Sequence, residues 1–141
     1  MKSGPALRQL MSHRAIHDAA HTQIKQLTDM VQQLFDENKR DECFEVANVL
    51  VQHWEEKIIA HADAEDEGLY KELLASGEVE QKELYMLMRD HDLFRQIIRD
   101  MKQQLSEKNH ITTKQIYTFH ALIVLNEYHH IGEEATLFPG Q

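Results

Sequence analysis

The stretch LYMLMRDHDLFRQIIRDMKQQL, residues 84–105, decides the fold. Leu84, Leu87, His91, Phe94, Ile98, Met101 and Leu105 follow one another in steps of three and four. That is the seam of a helix packed along its whole length against neighbouring helices. The period-two alternation of a half-buried strand is absent. Six of the seven seam residues are apolar. The seventh, His91, needs a partner to be buried there.

The same stepping recurs on both sides of this segment. An earlier series reads Leu10, His13, His17, Ala20, Ile24, Leu27, Val31 and Leu34, with Ser3, Gly4 and Pro5 as a start signal. The polar run DENKRDE (36–42) breaks it. A second series follows through Ala47, Val51, Trp54, Ile58, His61, Glu65 and Gly68, and LLASGEVE (73–80) ends it, with Gly77 placed to close a helix. After residue 105, SEKNHITTKQ is the next break, and Thr112 with Gln115 has the pattern of a capping box. The last series reads Phe119, Leu122, Asn126, His129, Glu133 and Leu137. Four amphipathic helices joined by short loops predict an all-α chain, an antiparallel up-down-up-down four-helix bundle formed as a single domain over residues 1–141.

Bulk composition narrows the function. A net charge of −9 argues against nucleic acid and against anionic membrane surfaces as partners. Cys43 is the one cysteine, so no internal disulfide forms and a reducing, cytoplasmic setting is expected. The opening MKSGPALRQLMSHRA has no long apolar run, so neither a signal peptide nor a membrane span is expected. Ten histidines in 141 residues is a high count, and several stand on the seams.

HHIGEEATLFP (129–139) shows the pattern best: His129 and Glu133 are one helical turn apart on one face. His61 and Glu65 repeat the spacing, and Leu69–Tyr70 and Leu137–Phe138 follow the two glutamates at equal distance. The chain thus reads as an internal duplication in which His17 and His91, each followed by Asp, also correspond. Counted outward from the loops, His17, His61, His91 and His129 meet at one depth. Four imidazoles and two carboxylates in an apolar core cost several kcal/mol unless paired or coordinated. A metal supplies that pairing, and imidazole with carboxylate suits iron, manganese or zinc. Two metals bridged by two carboxylates use all six groups, whereas a single zinc leaves two over. His13, His21 and His130 are further candidate ligands, the first two as alternatives to His17. A rival register pairs His130 with Glu134. Lone histidines such as His53 and His110 read as surface residues. A ferritin-like centre needs two ExxH motifs, and only Glu127–His130 lies on a helix.

The order His, HxxxE, His, HxxxE resembles the hemerythrin-like family, in its branch of HHE cation-binding domains. The matching residues are IHDAAH around His17, HADAE at 61–65, RDHDLF around His91 and HHIGE at 129–133, with LFP after them. The resemblance implies a non-haem di-iron centre with an oxo or hydroxo bridge, held by His17, His61, Glu65, His91, His129 and Glu133, with both glutamates bridging. It implies binding or sensing of oxygen, nitric oxide or peroxide. It also leaves open an oxidoreductase that reduces nitric oxide or oxygen or decomposes peroxide, and iron storage or donation for iron–sulfur repair. Oxygen carriers of the family have HxxxH on the third helix, whereas Leu87 and Arg95 flank His91 here at that spacing.

Overall fold

The computed structural model describes residues 5–140. Helix α1 spans Pro5–Asp36. Pro5 opens it, where a missing N–H costs nothing, while Ser3 and Gly4 of the expected start signal lie outside the described residues. Helix α2 spans Arg40–His53 and runs without a break through a π-helical turn, Trp54–Ile59, into α3, Ala60–Glu67. Helix α4 is Leu69–Ser76, α5 is Gln81–Glu107 and α6 is Thr113–Leu137. No strand occurs among the described residues. No helix there is long and apolar enough to cross a membrane.

The punctuation follows local chemistry. Asn38 turns the α1–α2 corner at φ 58°, a left-handed conformation that Asn tolerates. Gly77 closes α4 at φ 72°. Thr112 and Gln115 form the capping box of α6, each side chain bonded to the other's backbone N–H. Two features break the expected second helix. The π turn inserts an i→i+5 bond, Ala60 N–H to Glu55 carbonyl, one residue before His61. At Gly68 the chain bends between α3 and α4, and a Cβ there would approach the Ala64 carbonyl to 3.0 Å.

Helix α1 packs on α2 and α6, and α5 packs on α2 and α6. The core between them contains Ile24, Val31, Leu50, Trp54, Phe94, Ile98, Phe119 and Leu122, all buried. The Trp54 and Phe94 rings meet at 5.5 Å. Each such side chain contributes about 1.5–3 kcal/mol on burial. All seven seam positions of α5, from Leu84 to Leu105, are buried. A smaller cluster of Tyr70, Leu84 and Leu87 packs beside it, with Leu137 against them. The candidate site lies between the two clusters.

Candidate metal centre

His13 and His17 stand one turn apart on α1; His61 and Glu65 stand one turn apart on α3. One nitrogen or oxygen atom from each of these four lies within 4.8 Å of the others. Glu65, His91 of α5, and His129 and Glu133 of α6 form a second such set, all four buried. Glu65 belongs to both sets. These groups could hold metal ions.

The two carboxylates divide their oxygens between the sets. Glu65 Oε2 is 3.6 Å from His61 Nε2 and its Oε1 is 3.5 Å from His91 Nε2. Glu133 Oε1 is 2.5 Å from His13 Nε2 and 3.5 Å from His17 Nε2, while its Oε2 is 3.7 Å from His129 Nε2. The same Oε2 accepts a hydrogen bond from the hydroxyl of Tyr70, which is fully buried.

Two aspartates orient the second set. His91 Nδ1–H donates to Asp66 at 2.9 Å, and His129 Nδ1–H donates to Asp90 at 2.8 Å. Carboxylates only accept, so both rings carry their proton on Nδ1 and turn an Nε2 lone pair inward. The two Nε2 atoms lie 3.1 Å apart. Two facing lone pairs repel unless a proton or a cation lies with them. Arg95 holds Asp66 at 2.5 Å and Asp63 at 2.8 Å, so the residue one turn beyond His91 anchors the aspartate that orients it.

Electrostatics give the same picture. Burial, then Glu65 beside it, pushes Glu133 up to about 10. Burial also pushes Glu65 up, but His61 and the neighbouring Glu133 outweigh it and hold Glu65 at about 2. Two buried carboxylates this close do not both ionise without a cation, so the pair keeps one proton. Burial, reinforced by His130 and His13, lowers His17 to about 2. Burial also lowers His13 and His91. Glu65 raises His61. His61 Nε2 and Glu65 Oε2 are both buried and have no hydrogen-bond partner, and they face one another. Polar atoms orphaned at the centre of a ligand set, with lone pairs turned toward each other, fit a bound cation.

The other candidate residues lie outside the two sets. His21 bonds to Asn126 at 3.1 Å and Glu127 at 3.2 Å. His130 stacks on His17 with centroids 4.0 Å apart. Burial and then His129 lower His130 to about 3. Glu134 bonds Arg14 at 2.7 Å on the surface side, away from Glu133's partners. His53 bonds Gln23 at 2.6 Å, and His110 is exposed. Sequence reasoning did not single out Asp66, Asp90 or Tyr70. Asp90 carries no spacing signal. Tyr70 had one, its place five residues after Glu65, repeated as Phe138 after Glu133.

A cavity of about 20 Å³ borders the sets, lined among others by His17, His61, Glu65, His91, His129 and Asn126, with Ile58, Ala62 and Phe94 as apolar wall. It has room for about one water-sized molecule. Asn126 is fully buried, and its Oδ1 has no partner.

No family model, no curated protein and no solved structure matches this chain.

Proposed function

We propose that this chain is a non-haem di-iron protein of the hemerythrin-like kind, an antiparallel up-down-up-down bundle that binds or senses oxygen, nitric oxide or peroxide. The observation that carries the proposal is the pair of four-residue ligand sets sharing Glu65, with the oxygens of Glu133 divided between the same two groups. One zinc uses four ligands and leaves the rest of the sets unpaired. Two adjacent ions use all of them. Histidine and carboxylate without thiolate suit iron, manganese or zinc, and the buried Cys43 belongs to the hydrophobic core away from the sets.

His13, His17 and His61 would hold one ion, His91 and His129 the other, and Glu65 and Glu133 would bridge them. A ferrous pair, when bound, supplies the electrons and open positions that a diatomic ligand needs. Asp66 and Asp90, by accepting from Nδ1, fix the orientation of the His91 and His129 rings so that Nε2 points at the set. Ile58, Ala62 and Phe94 give the cavity an apolar wall. Its volume suits a diatomic molecule or peroxide. The amide oxygen of Asn126 can accept a hydrogen bond from a ligand that carries a proton, and it cannot donate one.

Anaerobic loading tests the proposal. About two irons per chain are expected, and the reduced protein is expected to react with oxygen or nitric oxide and, once oxidised, to bind azide with a new visible band. Reversible stoichiometric binding identifies a carrier or sensor; turnover with iron retained identifies an oxidoreductase. A single tightly held zinc, indifferent to iron supply, would refute the di-iron assignment.

A further inference from the structure

The two halves of the chain align on His17 with His91, His61 with His129 and Glu65 with Glu133, and two of the positions at which they differ bear on Glu133. His13 stands four residues before His17; the matching position four before His91 is Leu87. Phe138 stands five residues after Glu133; the matching position after Glu65 is Tyr70. The second set thus lacks the imidazole that His13 provides to the first, and it has a hydroxyl where the first has a bare ring. The contacts follow the same exchange. His13 Nε2 lies on Glu133 Oε1, and the Tyr70 hydroxyl lies on Glu133 Oε2. Phe138 packs against His13 at 5.5 Å, and Tyr70 stacks on His91 at 5.5 Å with the rings 6° from parallel. The bend at Gly68 starts the helix that carries Tyr70 inward.

We propose that the phenol oxygen of Tyr70 is a ligand of the second ion, taking there the place that His13 takes at the first. The inference rests on the di-iron proposal above and makes the centre chemically unequal, three imidazoles on one ion against two imidazoles and a phenolate on the other. On coordination the phenol O–H bond breaks and the oxygen–iron bond forms. The proton leaves to solvent, and no oxidation state changes. The hard, anionic oxygen favours the ferric over the ferrous state at that ion, so the two ions oxidise unequally.

The test is the ferric protein itself. A phenolate bound to ferric iron gives a visible charge-transfer band, and excitation within it enhances tyrosine ring vibrations in the Raman spectrum. The chain has four tyrosines, and Tyr85, Tyr117 and Tyr128 are exposed. A phenolate signal from wild-type protein therefore assigns to Tyr70 without any variant. Tyr70→Phe should abolish that signal, weaken the second iron by roughly tenfold or more, and release one proton fewer per chain on loading. Leu87→His added to Tyr70→Phe should recover the second iron without the phenolate signal. Wild-type protein that holds two ferric ions and shows no phenolate vibration overturns the inference alone and leaves Tyr70 as a hydrogen-bond donor to Glu133. Protein that takes up no iron pair overturns the di-iron proposal and this inference together.

Discussion

His13 Nε2 lies 2.5 Å from Glu133 Oε1, joining positions 120 residues apart. The contact binds the start of α1 to the end of α6 and puts His13 inside the first ligand set with His17 and His61. His13→Ala should weaken the first iron and leave protein with about one iron per chain. His21→Ala, which removes only bonds to Asn126 and Glu127, should keep both. Iron analysis after desalting checks this, and equal loss from the two variants would exclude a ligand role for His13.

Glu133 and Glu134 are neighbours in sequence with opposite surroundings. Glu133 is fully buried between the sets, whereas Glu134 pairs with the exposed Arg14. Glu133→Gln removes a charge that serves both ions and should abolish uptake of the pair. Glu134→Gln breaks a surface ion pair worth at most about 1 kcal/mol and should leave uptake unchanged. Comparable loss from both would mean that the register through His130 and Glu134 is the working one.

Asp90 orients His129 through a 2.8 Å bond. Aspartates that accept from the far nitrogen of a ligating histidine typically matter by about 10–100-fold in affinity. Asp90→Ala should lower the affinity for the second iron by that order, and Asp90→Asn should recover only part of it, since the amide oxygen accepts but carries no charge. Competition against a chelator of known strength reads the change.

The metal-free protein should lose stability in mild acid. His17 is held at about 2 and His130 at about 3, both chiefly by burial. In the unfolded chain they titrate near 6.5. Their folded values are depressed, so the unfolded state binds the extra protons. Their contribution is flat above about pH 6.5 and falls below it, by about 1 kcal/mol per pH unit for each residue. Glu133, pushed up to about 10, acts in the other direction, adding stability as pH falls from about 10 to the unfolded carboxylate range, and it offsets about one histidine there, while the lowered His13 and His91 add to the loss. Urea denaturation at pH 7 and pH 5.5 should show the drop, and His130→Ala should reduce it. A change with pH as large in His130→Ala as in wild-type protein would contradict the burial of that neutral ring.

Most of the helical pattern could be read from the three-and-four stepping, because burial on a helix leaves that trace regardless of which neighbour covers it. All seven seam residues of α5 and the cap at Thr112 are where the stepping and the capping pattern put them. The π turn at Trp54–Ile59 left no such trace, since its residues keep the same apolar steps while the hydrogen bonds shift by one. The bend at Gly68 was read as one more seam position. The imidazoles and glutamates of the two sets were legible because polar residues on an apolar seam stand out. His13 against His17 was not decidable, as both lie on the same face of α1, and the two share one set. Asp66 and Asp90 were hidden because they sit beside the seam among other surface carboxylates, and only the direction of a histidine ring distinguishes them.

The divided oxygens of Glu65 and Glu133 mean that each half of the chain reaches into the other's imidazoles. Residues before Gly77 supply all four members of the first set and lend Glu65 to the second; residues after it supply the rest of the second set and place an oxygen of Glu133 on His13 of the first. A centre built on such an exchange is a clasp. Of two fragments cut in the turn at residues 77–80, the second would lack Glu65 and the first would lack the oxygen of Glu133 that meets His13, and the cation would be what rejoins them.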